Sequence, residues 1–222
     1  MSNISVFDIM GPIMIGPSSS HTAGAERLGK AARTICGGGI KGANFYLHGS
    51  FAKTYKGHGT DRALVAGILG METDDENIKE SFQHADAQGI AIHFFEVDLG
   101  EVHPNTVKIE LIKEDDSRLT VTGSSIGGGN IIITNIDGDE VEFTGKLPVL
   151  IVRHTDKPGM LSKISLIIAL YGINIATLKV GRQTKGKIAT TVIESDNVIP
   201  EEAVNEIKRI DSVTSVRSLD AI

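Results

Sequence analysis

The densest run of hydrogen-bonding side chains in this sequence is Gly16-Pro17-Ser18-Ser19-Ser20-His21-Thr22-Ala23-Gly24. It leads straight into a stretch, from Thr22 through Leu28 and Ala32 to Thr34, whose apolar spacing predicts a helix. The first N–H groups of a helix have no internal partner, and the helix dipole favours an anion beside them. Ser18, Ser19, Ser20 and Thr22 therefore read as donors to a carboxylate or phosphate. A single hydroxyl is enough to cap a helix. Three in a row, followed by a histidine, exceed what capping requires.

Lys56-Gly57-His58-Gly59-Thr60-Asp61-Arg62 repeats the arrangement before a second predicted helix, Asp61 to Leu69. Thr60 or Asp61 can cap it, and the flanking glycines let backbone approach a ligand closely. His58, between two glycines, has little local packing to justify it. A third candidate anion cup is Gly123-Ser124-Ser125-Ile126-Gly127-Gly128-Gly129-Asn130, with Ser124, Ser125 and Asn130 as donors; an ordinary connection between strands accounts for it equally well. Near the C-terminus, Asp156-Lys157-Pro158-Gly159-Met160 precedes another helix, and Asn174 opens the strand after it. The N–H groups at Gly159 and Met160 can take a carboxylate while Asp156 or Asn174 takes an ammonium, which describes a site for a free amino acid. A plain βα turn fits those residues too.

His48, His84, His93, His103 and His154 show no metal-ligand spacing, and they read as packed or solvent-facing. Cys36 stands alone. One cysteine rules out an internal disulfide framework, suits a reducing cytoplasm, and cannot supply the several thiolates of an iron–sulfur cluster.

Two blocks of elements must position these groups. The N-terminal block reads as mixed α/β: the helix around 22–34, a strand from Ala43 to Leu47, helices at Asp61–Leu69 and about Asn77–Ala87, then strands at Ile90–Val97, Thr106–Lys113, Leu119–Gly123, Asn130–Asn135 and Glu140–Thr144. Gly127-Gly128-Gly129 opens no convincing helix, so no dinucleotide fingerprint is read. Thr144-Gly145-Lys146-Leu147-Pro148 interrupts the pattern, and the predicted domains are 1–146 and 147–222. The second block alternates strand Val149–Val152, helix Leu161–Tyr171, strands Ile173–Val180 and Lys187–Ser195, a helix opened by Pro200-Glu201-Glu202, and strand Val213–Leu219. That is a βαββαβ unit, with both helices expected on one face of a four-stranded antiparallel sheet and an edge free to pair with another copy. The fold class is thus α/β (α+β), a mixed α/β domain followed by a ferredoxin-like one.

The chain of 222 residues is 41% hydrophobic and 23% charged, which suits a folded soluble protein. With 22 basic against 28 acidic side chains the net charge is −6, arguing against nucleic acid or an anionic membrane as the main partner. No apolar run reaches the ~18 residues of a spanning helix, and no secretory signal is read at the start.

Two resemblances follow from these residues. The βαββαβ unit with its Asp-x-Pro-Gly turn, Asp156 to Gly159, resembles an ACT domain, a small-molecule sensor, and this implies ligand-dependent control. Phe7-Asp8-Ile9, then Gly16 to Thr22, then Gly57 to Asp61, resemble the β chain of the bacterial iron–sulfur-dependent L-serine dehydratase. The N-terminal block also resembles the allosteric-substrate-binding domain of some phosphoglycerate dehydrogenases. The dehydratase resemblance implies conversion of L-serine to pyruvate and ammonia, with a [4Fe–4S] cluster held by the cysteines of a partner α chain. It implies that His21 or His58 moves the proton, with Asp61 and Thr60 orienting that imidazole or the substrate ammonium. Ser18, Ser19, Ser20 and Thr22 would then hold the substrate carboxylate. L-Serine is the expected substrate and a possible effector. The rival expectation is a purely regulatory subunit that binds an amino acid and has no catalytic groups.

Overall fold

The computed structural model describes residues 13–182 and 184–222; Phe7-Asp8-Ile9 lies outside them. The chain divides into two compact units, the first ending at Asp137 and the second running from Gly138 to Ile222.

In the first unit a π-helical turn, Ser19–Ala23, runs into helix α1 (Gly24–Cys36). Strand β1 (Ile40–Leu47), helices α2 (Gly49–His58) and α3 (Thr60–Leu69), a 3-10 turn (Glu76–Glu80), helix α4 (Ser81–Ala87) and strand β2 (Ala91–Glu96) follow. Strands β3 (Thr106–Lys113), β4 (Arg118–Gly127) and β5 (Asn130–Ile136) complete it. The sheet runs β2-β1-β3-β4-β5 and ends on β6 (Asp139–Phe143), with β1 and β2 parallel and the pairs β1–β3, β3–β4 and β4–β5 antiparallel. A parallel pair needs a long crossover, and here α2, α3 and α4 supply it.

The helices are seated on the sheet by glycines that remove side chains where backbones meet. A Cβ on Gly123 of β4 would stand 2.6 Å from Leu28 Cδ2 of α1. Helices α1 and α3 cross almost in backbone contact: a Cβ on Gly67 would lie 2.1 Å from the Glu26 carbonyl oxygen, and one on Gly29 would lie 2.4 Å from that of Leu64. Leu28, Phe45, Phe51, Leu64, Ile68 and Ile109 fill the interior between helices and sheet.

Helix α2 corrects the sequence reading, which left 49–58 unassigned and treated His58 as a loop residue at the start of a helix. His58 instead ends a helix. Gly59, at φ 70, takes the left-handed conformation that terminates α2 and begins α3 directly. Phe51 is the one fully buried side chain of α2, so its sequence carries little apolar periodicity.

The second unit holds β6 (Asp139–Phe143), β7 (Val149–Thr155), α5 (Met160–Leu170), β8 (Ile175–Arg182), β9 (Ile188–Ser195), α6 (Glu201–Lys208) and β10 (Val213–Leu219). From β7 onward this is the expected βαββαβ order. The antiparallel sheet runs β10-β7-β9-β8. Leu150, Val152 and Ile193 of the sheet meet Ile164, Ile168 and Ile207 of the helices in one core. Strand β6 packs with β8 and β9, and Asp139 pairs with Arg153 at 3.2 Å. The compact units divide just ahead of it, before the 146/147 point read from the sequence. No helix among the described residues is long and apolar enough to cross a membrane.

Candidate active site

The first candidate segment folds as one turn of π-helix, an uncommon conformation that recurs at functional sites. Ser18 precedes it with extended backbone, and its hydroxyl accepts the His21 N–H at 3.2 Å, so one serine of the three does cap the turn. Gly16 (φ 137) packs against Thr22 so closely that a Cβ would lie 2.4 Å from Thr22 Cγ2. The Thr22 hydroxyl in turn donates to the His58 carbonyl at 3.3 Å. That bond and the α2–α3 joint bring the two motifs together.

His21 and His58 stack with ring centroids 5.0 Å apart and planes at 35°. His21 Nε2 shares a 3.0 Å hydrogen bond with Ser50 Oγ, and its ring meets Phe51 edge-on at 5.4 Å. Burial, and after it the neighbouring His58, hold His21 below the usual imidazole range, so it is neutral at pH 7. His58 Nδ1 lies 3.4 Å from the Thr54 carbonyl oxygen. A carbonyl only accepts, so that nitrogen carries a proton, and Nε2 is the ring nitrogen left to exchange one. His58 also lines a cleft of about 310 Å³ with Gly16, Thr22, Lys56, Arg62 and Lys79.

The companions expected of His58 are placed differently from the sequence reading. The residue at the cap position of α3 is Gly59, with no side-chain cap, so neither Thr60 nor Asp61 caps it. Thr60 is fully buried, and among the described residues its hydroxyl has no hydrogen-bond partner. Asp61 Oδ1 accepts the Arg62 N–H at 2.8 Å, and partial burial raises its carboxyl above the ordinary range.

The third segment is largely consumed by the fold. Ser124 and Ser125 belong to strand β4, and Ser124 Oγ is bonded to Thr106 Oγ1 at 2.7 Å in the interior. Asn130 Nδ2 donates to the Gly127 carbonyl at 3.1 Å and closes the turn. Ser125 Oγ is buried without a partner among the described residues and lies where a Gly24 Cβ would be 2.0 Å away, under the junction of the π-turn and α1. In the second unit, Asp156 accepts from Arg182 Nη1 at 2.6 Å and from the Gly186 N–H at 3.0 Å, and these bonds lower its pKa. Asn174 donates to Asp196 Oδ2 at 2.8 Å. Gly159 (φ 84) precedes α5, and Met160 is buried.

Ser50, Lys56, Arg62, Lys79 and Glu26 were not singled out from the sequence. Lys56 and Arg62 flank the His58 motif and were legible there as charge. Ser50 and Lys79 arrive by folding alone. An iron–sulfur cluster does not fit this chain's donors: Cys36 is buried, and the described residues contain no group of three or more His, Cys, Asp or Glu able to hold a metal ion.

The family model for the serine dehydratase beta chain matches residues 5–135, and that for the ACT domain matches 148–212. The chain is 43% identical to the probable L-serine dehydratase beta chain of Bacillus subtilis (strain 168), over 97% of both chains. It is 40% identical to the L-serine dehydratase beta chain of Peptoniphilus asaccharolyticus, over 99% of this chain and 100% of that one. A D-3-phosphoglycerate dehydrogenase of Methanocaldococcus jannaschii is 31% identical across 52% of this chain and 22% of its own length. With one family model spanning more than half of its residues and full-length relatives at 40% identity or above, the chain belongs to the serine dehydratase beta-chain family and carries an ACT domain.

Proposed function

We propose that this chain is the β subunit of an L-serine dehydratase, active with a separate α chain and working in the reducing cytoplasm. One juxtaposition carries the reading: two imidazoles from separate motifs lie 5.0 Å apart, and one of them lines a cleft. Deamination of serine requires loss of the Cα proton and of the β-hydroxyl. The aminoacrylate so formed becomes an imine and hydrolyses to pyruvate and ammonium. His58 Nε2 takes the Cα proton. His21, neutral and held by Ser18 and Ser50, fixes the orientation of that ring and lowers the barrier to passing the proton on. Ser19 and Ser20 give donors to the substrate, Thr22 ties their turn to the His58 carbonyl, and Thr60, Asp61 and Ser125 frame the site. The [4Fe–4S] cluster of the dehydratases belongs, on this reading, to the α chain, because this chain's residues do not fit it.

The ACT unit serves as the regulatory module, with the turn from Asp156 to Met160 and Asn174 as its amino-acid contacts, L-serine among the candidate effectors, and its sheet edge as the seam between copies. His58→Ala and His21→Ala, each assayed in the reconstituted two-chain enzyme, are expected to lower kcat by about 10²- to 10⁴-fold, the usual contribution of a positioned acid or base. Near-normal turnover in both variants, or substantial turnover by the α chain alone, would leave this chain a regulator only.

A further inference from the structure

The cleft beside His58 has a charge pattern that the proton-transfer reading does not use. Among the described residues its lining includes Lys56, Arg62 and Lys79 and no acidic side chain. The three cations come from the end of α2, the first turn of α3 and the 3-10 turn. On a chain with 28 acidic and 22 basic residues, three cations around one concavity without an acid is a local reversal of charge. All three side chains are exposed, and among the described residues none pairs with a carboxylate within ion-pair distance. Asp61 feels both Lys56 and Arg62, and Glu76 and Glu80 share the turn of Lys79, but none of these acids lines the cleft. The backbone opposite them is Gly57 and Gly59, and a Cβ on either would meet nothing within 4 Å, so the approach is open.

We infer that Lys56, Arg62 and Lys79 form a carboxylate subsite that fixes which way round the amino acid enters. This rests on the dehydratase reading and adds the polarity of binding to it. A zwitterionic amino acid presents one anionic and one cationic end. The cationic rim attracts the carboxylate and repels the ammonium, so the carboxylate lies toward Arg62 and Lys79 while Cα faces His58 and the β-hydroxyl points away from this chain. The same rim holds the carboxylate of the product, pyruvate, which has no ammonium to be repelled.

The test has two arms. In the reconstituted enzyme, Arg62→Gln and Lys79→Gln are expected to raise KM for L-serine about 10- to 100-fold, as loss of a charge-assisted hydrogen bond does, with the change carried by KM rather than kcat. L-Serinamide, which lacks the carboxylate, is expected to be a poor substrate of the wild-type enzyme and to lose much of that disadvantage in the double variant. The second arm titrates the full-length chain alone with sodium pyruvate. The amide resonances of Gly57 and Gly59 should shift saturably, and the double variant should abolish the shift. An unchanged KM with undiminished preference for L-serine over L-serinamide overturns the subsite and leaves the dehydratase reading standing. A reconstituted enzyme inactive on L-serine overturns that reading instead, and the pyruvate titration then decides the subsite by itself: no saturable shift removes it.

Discussion

Glu26 lies in the first turn of α1, 1% exposed, and neither carboxylate oxygen has a hydrogen-bond partner among the described residues. Burial dominates its titration, opposed by Lys30 and reinforced by Glu72, and pushes its pKa up to about 8. The folded chain therefore holds this proton more tightly than the unfolded one, in which the carboxyl titrates near 4.5. The resulting stability is complete at pH values below that ordinary one and is lost as pH rises through about 8. At 1.36 kcal/mol per unit the loss is on the order of 5 kcal/mol. Glu26→Gln keeps the shape and removes the titration. Urea unfolding of both proteins at acidic and alkaline pH is expected to give the variant the flatter profile and the greater stability on the alkaline side. A wild-type protein losing no stability relative to Glu26→Gln across that range would contradict a buried neutral carboxyl. Nothing in the spelling of α1 marks Glu26 for this role, because an acid in the first turn is an ordinary helix-dipole partner. His21 and His58, by contrast, were legible, since their glycine- and hydroxyl-rich neighbours have little structural use for an imidazole.

At the scale of elements, the two histidines meet because α1 and α3 are locked together. The π-turn bearing His21 runs into α1, and His58 is joined to α3 through Gly59. Gly67 is the closest point of that crossing, with its missing Cβ directed at the Glu26 carbonyl oxygen and at Lys30 N, 2.7 Å away. Both are backbone atoms and cannot rotate aside. Gly67→Ala is expected to force the helices apart and to destabilise the chain by about 1–3 kcal/mol, the usual range for overpacking. In thermal unfolding its midpoint should fall well below that of Gly37→Ala, where a Cβ meets nothing within 4 Å and only the left-handed backbone is strained. Equal losses would mean that the crossing has room to relax. Most strands were readable from their apolar runs, and in the second unit the alternation of strand and helix was plain. Helix α2 was not, because one buried residue in ten leaves no apolar stripe and its glycines read as loop. The approach of α1 to α3 was equally hidden, since a helical glycine signals close packing only once its neighbour is known.

The whole molecule is two units, and strand β6 shows how much of that division is tertiary. Its sequence is an ordinary strand that ends the six-stranded sheet, yet it packs on β8 and β9 and pairs Asp139 with Arg153, all of the second unit. That unit also leaves apolar surface uncovered. Helix α5 buries Met160, Ile164 and Ile168 but exposes Leu166 (60%) and Leu170 (73%). Strand β8, at the edge of the sheet, exposes Leu178 and Val180. An open edge of this kind invites another strand unless charge blocks it. Pairing β8 with β8 of a second copy would satisfy both the edge and the leucines of α5. The 23.6 kDa chain is therefore expected to elute at the mass of a dimer in light-scattering chromatography. Val180→Lys combined with Leu170→Lys should bring it to the mass of a monomer with an unchanged far-ultraviolet spectrum, since neither side chain belongs to the buried core. A wild-type chain that is monomeric at high concentration, or a dimer indifferent to both lysines, would leave that edge to the α chain or to solvent.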